Sequence, residues 1–205
     1  MADGNLIVKA CQKSLDNNVK VSDSFLLAKS IYESSQVPIV LMTYVNIINH
    51  MGIKDFCIAS KEARISGIIV PDLPYDSEEG RVLKKYALKL GIHLVYVISP
   101  AVEKSRLDEI RKLSSGFLYC TSRQGTTGKG IKFSKNTSSY LEEVGKMSEI
   151  PLAVGFGISS AKDLRLVRKY AQIGVVGSAI IHIINKHKNS EILVAVGKYM
   201  SGLAN

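Results

Sequence analysis

Six short apolar runs recur along this chain, starting at residues 38, 67, 93, 116, 151 and 173, and most lead into a stretch with helical spacing. A continuous run such as Pro38-Ile-Val-Leu-Met-Thr-Tyr44 reads as a strand buried on both faces, the kind found in parallel sheets. After Gly67-Ile-Ile-Val-Pro71 comes a helical segment that Asp76 is placed to cap. Leu83, Tyr86, Ala87 and Leu90 share one of its faces, and Gly91 stands at its C-terminal stop. His93 to Ser99 is the next strand, followed by a helix carrying Leu107, Ile110 and Leu113. After Gly116 to Thr121 the helix is delayed until about Ser138, and Pro151–Phe156 and Ile173–Gly177 complete the series. Two helices precede it: Ile7 to Leu15, broken by Asn17-Asn18, and a second capped at Ser22-Asp23 and running through Phe25, Leu26, Leu27 and Ile31. Serial right-handed βαβ units close into one of two architectures, a doubly wound sheet or a barrel.

Two of the runs end in glycines and a hydroxyl residue: Leu152-Ala-Val-Gly-Phe-Gly-Ile-Ser159 and Ile173-Gly-Val-Val-Gly-Ser-Ala179. A strand that stops in such a corner leaves backbone N–H groups bare at its carboxyl end, where an anion can approach and the next helix dipole favours it. Either corner alone also reads as a plain turn; two of them one βα unit apart favour a phosphate-sized ligand. The polar, glycine-rich Ser122–Gly130 segment has the composition of an active-site lid and equally of a surface excursion. It is not a P-loop, because too few residues separate Gly125 from Gly128 and Gly130 stands where Ser or Thr would hold magnesium. Nor does Gly155-x-Gly157 make a dinucleotide fingerprint, since Ser160 takes the place of the third glycine.

At 205 residues and 46% hydrophobic content the chain can bury a single-domain core. No apolar run reaches the ~18 residues of a membrane span, and Met-Ala-Asp-Gly-Asn lacks the features of a signal peptide, so a cytoplasmic location is expected. Cys11, Cys57 and Cys120 are too far apart for a zinc or disulfide framework and read as small buried hydrophobes. The net charge of +9 is spread over scattered lysines without an aromatic-and-basic module, which argues against nucleic acid.

Several motifs, in order and at matching separations, give the chain a family resemblance. They are Ala-Asp-Gly at 2–4, Pro38 to Asn46, Val70-Pro-Asp-Leu-Pro74, Gly116-Phe-Leu-Tyr-Cys-Thr-Ser-Arg-Gln-Gly-Thr-Thr-Gly128, Gly155-Phe-Gly-Ile-Ser159 and Gly177-Ser-Ala179. Together they resemble the alpha subunit of tryptophan synthase from Ala2 to about Lys188. The resemblance implies an α/β fold of the TIM-type (β/α)8 barrel class and cleavage of indole-3-glycerol phosphate to indole and glyceraldehyde 3-phosphate. It also implies no cofactor on this chain and a beta-subunit partner, in an alpha2beta2 complex, that carries pyridoxal phosphate.

Residue by residue, the resemblance implies that Gly128, Gly157, Gly177 and Ser178 bind phosphate. Tyr119, Thr127 and Phe156 would line the substrate site, with Thr127 helping to close it. Asp3 would be catalytic, its carboxylate facing the indole N–H where positive charge develops. Asn46 and Pro74, with Asp72 nearby, would face the partner, although all three are also ordinary turn formers. Arg123 could reach phosphate or a loop carboxylate, or simply be solvated.

The family pattern extends upstream of Ala-Asp-Gly, through a strand bearing the glutamate that acts as general acid/base. The expectation is therefore a single partial barrel domain over 1–205, with about six βα units and without the first two strands. Its cleavage would be weak, and its apolar edges at 38–44 and 173–177 would be unpaired. The alternative is a non-catalytic phosphate-binding subunit that docks on the beta subunit and regulates it. A different phosphate-binding barrel would share the corners but not the Ser-Arg-x-Gly-x-Thr-Gly loop.

Overall fold

The computed structural model describes residues 4–121, 135–155 and 157–204. These fall into two compact units, one over Asn18–Val97 and Glu103–Leu118, the other over 98–102, the described residues from Tyr119 on, and those before Asn18.

The first unit holds α2 (Val21–Ser35), β1 (Ile39–Met42), α3 (Val45–Met51), α4 (Ile53–Glu62), β2 (Ile65–Ile69), α5 (Glu78–Lys89), β3 (His93–Val95) and α6 (Lys104–Leu113). Its sheet has the order β1-β2-β3, and both pairings are parallel, with Met42 opposite Ile69 and Ile69 opposite Val95. The core gathers Ile65, Ile68 and Ile69 of β2 with Phe56 and Cys57 of α4 and Leu83 and Ala87 of α5, all buried. Ile68 and Leu83 are fully enclosed, as is Phe56, whose ring meets Phe25 edge-on at 5.7 Å between centroids.

The second unit contains α1 (Asn5–Asp16), α7 (Lys135–Met147), β6 (Leu152–Gly155), α8 (Ala161–Val167), β7 (Ile173–Val175), α9 (Ser178–Lys186) and α10 (Glu191–Ala204). Its sheet has the order β4-β5-β6-β7, where β4 is Val97–Ile98 and β5 is Leu118–Thr121. The β5 side chains are all buried, as are Leu152, Ala153 and Val154 of β6, and Leu141 and Val144 of α7 join this core.

All six strand regions expected from the apolar runs are present, and most of the helices between them. Gly91 has φ +69° and ends α5 as a left-handed glycine should, and Leu107 and Ile110 are the buried face of α6. Asn18, at φ 55°, completes the break after α1.

Several details differ. The run at 93–99 is interrupted at Tyr96, and its two halves belong to different sheets. The cap of α5 is Ser77, not Asp76: the Ser77 hydroxyl accepts from the Gly80 N–H at 3.0 Å, while Asp76 lies 3.7 Å from Arg106. In α2 the N-cap is Lys20, and Asp23, already three residues into the helix, accepts the Lys20 N–H at 2.8 Å. Leu26 and Leu27 are 68% and 61% exposed, and Ala28 alone is buried in α2.

β1 is not buried on both faces. Among the described residues it has one neighbouring strand, and exposure alternates along it, leaving Val40 and Met42 open. β7 is likewise marginal, so both expected edges lie at the end of a sheet among the described residues. Cys57 and Cys120 are buried, and burial pushes their thiols up to about 11 and about 12. Cys11 is exposed, because α1 buries none of its side chains.

Phe56 has no solvent contact. Phe56→Ala is expected to cost about 3–5 kcal/mol, read as a lowered denaturation midpoint. A loss below about 1 kcal/mol would show that the contact with Phe25 and the β2 isoleucines is not close-packed.

Candidate functional site

β6 and β7 run parallel, with Ala153 opposite Ile173, Val154 opposite Gly174 and Gly155 opposite Val175. The two glycine corners therefore leave the same end of two adjacent strands. Gly157 lies two residues beyond paired Gly155, and Gly177 two residues beyond paired Val175. With strands about 4.8 Å apart, this register alone starts both corners side by side at the carboxyl edge of the sheet.

Each corner has a local reason for its glycines. Gly157 adopts φ +64°, the left-handed region that an L side chain resists. The next residue, Ile158, is 1% exposed and anchors the turn in the core. At Gly174 a Cβ would come within 2.5 Å of the Leu164 side chain, so that glycine lets α8 lie against β7. Gly177 is the N-cap of α9, and among the described residues nothing lies within 4 Å of where its Cβ would stand. Its carbonyl accepts from the N–H groups of Ile180 and Ile181 at 2.9 and 3.3 Å. The first N–H groups of a helix have no acceptor within it, and those of Ser178 and Ala179 are such donors.

Tyr119, on β5, belongs to the same end. A Cβ at Gly155 would overlap both the hydroxyl and the ring of Tyr119, so the phenol lies directly on the β6 backbone just before the corner. Tyr119 is 8% exposed, and burial raises its pKa, keeping the hydroxyl protonated and able to donate. The adjacent Thr121 hydroxyl donates to the Ile98 carbonyl at 3.3 Å and is occupied in the fold.

A residue the sequence reading passed over completes the Gly157 corner. The Asp163 carboxylate accepts from the Ser159 N–H at 3.0 Å, the Ser159 hydroxyl at 3.2 Å and the Ser160 hydroxyl at 2.8 Å. The Ser160 oxygen in turn accepts from the Asp163 N–H at 3.2 Å. Partial burial works to raise the Asp163 pKa, but the donors of Ser159 and Ser160 outweigh it and hold the carboxyl below its ordinary value. The stabilisation is fully present above the ordinary carboxylate range and is lost as pH falls through the lowered pKa. The signal was legible: Ser160-Ala-Lys-Asp163 has the spacing of a capping box, with Asp in place of Glu.

The expected site residues thus divide. Tyr119, Gly157, Gly177 and Ser178 come together at the ends of β5, β6 and β7. Asp3, Arg123, Thr127, Gly128 and Phe156, with the Ser122–Gly130 segment, lie outside the described residues. Asn46 and Pro74 belong to the other unit, beyond the carboxyl ends of β1 and β2, where Met42 pairs with Ile69. There the Asp72 carboxylate accepts the Val45 N–H at 3.0 and 3.3 Å, tying the loop after β2 to the helix start that carries Asn46. The Pro74 carbonyl accepts the Ser77 hydroxyl at 2.8 Å, so Pro74 forms part of the α5 cap. A depression of about 260 Å³ lined by Gly145, Ser148, Pro151, Tyr170 and Gln172 opens at the amino end of β6, the opposite end from the corners.

The contact of Tyr119 with Gly155 is testable by a double-mutant cycle. Gly155→Ala should cost about 1–3 kcal/mol by overpacking, and in a Tyr119→Ala background most of that cost should disappear. Additive effects would place the ring elsewhere.

Known proteins resemble this chain over nearly all of its length. The family described as tryptophan synthase alpha chain matches residues 1–201. The tryptophan synthase alpha chain of Methanocaldococcus jannaschii is 40% identical over 188 residues, covering 91% of this chain and 66% of its own length. That of Petrotoga mobilis is 39% identical, with 93% and 73% covered. Among solved structures, a mutant tryptophan synthase alpha-subunit from Pyrococcus furiosus superposes with a TM-score of 0.88 at 31% identity, covering 100% of this chain and 81% of that one. A tryptophan synthase complex from the same organism gives the same TM-score at 29% identity. The fold class is that of these α/β TIM-type barrels, as the resemblance implied, and this chain spans about two thirds to four fifths of its relatives' lengths. The chain belongs to the tryptophan synthase alpha chain family.

Proposed function

We propose that this chain binds indole-3-glycerol phosphate by its phosphate and serves tryptophan biosynthesis as a lyase, releasing indole and glyceraldehyde 3-phosphate. The observation that carries the reading is the β6–β7 register, which sets two glycine corners side by side next to Tyr119 in a chain of this family. Backbone N–H groups of Gly157, Gly177 and Ser178, joined by Gly128, would hold the phosphate; Tyr119, Thr127 and Phe156 would line the space beside it. Fixed backbone donors suit a dianion because they need no reorganisation when it arrives.

The chemistry is an isomer-balanced retro-aldol cleavage. A proton adds at indole C3, and positive charge develops at N1, where the Asp3 carboxylate would stabilise it. The neighbouring side-chain hydroxyl then loses its proton, its carbon becomes the aldehyde, and the pair from the broken C–C bond restores the neutral indole. Atoms and electrons balance without a redox cofactor. Delivery of the proton to C3 by a general acid is worth typically ~10²–10⁴-fold, and the residues matched by motif do not include that acid.

Indole would pass to a beta subunit carrying pyridoxal phosphate, docked through the face that includes Asn46 and Pro74. Among the described residues no helix is long and apolar enough to cross a membrane. The assay is indole release from indole-3-glycerol phosphate with and without beta subunit, beside the rate of the indole-plus-serine reaction. Release that rises with the partner supports the lyase reading. No release together with a stimulated partner would assign a regulatory binding subunit instead, and neither effect would overturn both.

A further inference from the structure

The Gly157 corner is pinned from two sides, and the second pin has no counterpart among the ligand-facing residues. On one side Ile158 is 1% exposed and fixed in the core. On the other, a single carboxylate oxygen, Asp163 Oδ2, takes the Ser159 N–H, the Ser159 hydroxyl and the Ser160 hydroxyl. A hydroxyl has one proton to donate, so both serine side chains spend theirs on Asp163 and have none left for a bound anion. Behind them Gly157 is exposed at φ +64°, a conformation that turns freely unless its neighbours are held.

We infer that Asp163 is a positioning residue for the phosphate grip: by holding the Ser159 N–H it fixes the backbone of Gly157–Ser159 in the one arrangement whose free donors face the ligand. The inference rests on the phosphate reading above and deepens it. Asp163 would not touch the ligand. Its charge is met by three donors, which limits its repulsion of an incoming dianion, and the gain comes from a corner ordered before binding.

The competing role is simple capping of α8, because the Ser160 oxygen also accepts the Asp163 N–H. Three variants of the full chain separate the two. Ser160→Ala removes the cap and leaves Ser159 held; Asp163→Ala releases Ser159; Asp163→Asn keeps an acceptor within reach of the Ser159 N–H. The probe is glycerol 3-phosphate titrated by calorimetry, with thermal midpoints measured alongside. Asp163→Ala should weaken binding about tenfold, as expected for losing a hydrogen bond to a charged group. Asp163→Asn should recover most of it, and Ser160→Ala should fall within about threefold of the parent even if its midpoint drops as far. Equal weakening by Asp163→Ala and Ser160→Ala, or unchanged binding in Asp163→Ala, would overturn the positioning role while leaving the phosphate reading intact. A parent chain that fails to bind glycerol 3-phosphate would overturn the phosphate reading itself, and the positioning role with it.

Discussion

The parallel register of β6 against β7 is the constraint on which the candidate site depends. Side chains in a strand alternate with period two, so a slip of one residue would turn every side chain to the other face and move the corners apart along the sheet. The slip is opposed by burial: Leu152, Ala153 and Val154 are each 2% exposed or less, and Gly174 accommodates the Leu164 side chain where a Cβ would collide. With that register in place, Gly157 and Gly177 leave one edge of the sheet at equal distance from a paired position. Nothing more than strand pairing is needed to bring together two sets of backbone donors that lie some twenty residues apart in sequence.

What surrounds the corners then supplies rigidity and chemistry. The Tyr119 ring lies on Gly155, and the Asp163 carboxylate gathers the donors of Ser159 and Ser160, so the same short segment is packed from one side and hydrogen-bonded from another. Fixed backbone donors serve an anion better than flexible side chains, because less freedom is lost on binding. The Thr121 hydroxyl donates to the Ile98 carbonyl, and at the amino end of β6 the Leu152 N–H is met by the Gln172 side chain at 2.9 Å. The opposite end of β6 holds the Leu152–Gln172 contact and a depression lined by Ser148, Tyr170 and Gln172 among others.

Much of this was legible because the signals were local. Apolar runs mark the strands, the Gly91 stop and the Leu107/Ile110 face mark helices, and the glycine corners announce themselves by composition. Where tertiary context decides, the sequence misleads. Pro38–Tyr44 has the composition of a strand covered on both faces, but its neighbours leave Val40 and Met42 open; likewise Leu26 and Leu27 are apolar residues on a helix that lies over little else. Composition cannot say whether a covering element is present. The cap of α5 went to Ser77 and not Asp76 because both are good caps one residue apart, and the Pro74 carbonyl beside Ser77 settles the choice. Asp3 and Asn46 were named by motif; nothing in their own neighbourhoods distinguishes them from solvated or turn-forming residues.

The account stands or falls on where a phosphoryl group sits. The direct measurement is a crystal structure of the chain soaked with glycerol 3-phosphate. The phosphoryl oxygens should accept from the Gly157 and Ser178 N–H groups at the carboxyl ends of β6 and β7, with Tyr119 beside the glycerol carbons. Density for the phosphoryl group at any other place, with these corners in their present conformation and vacant, would contradict it.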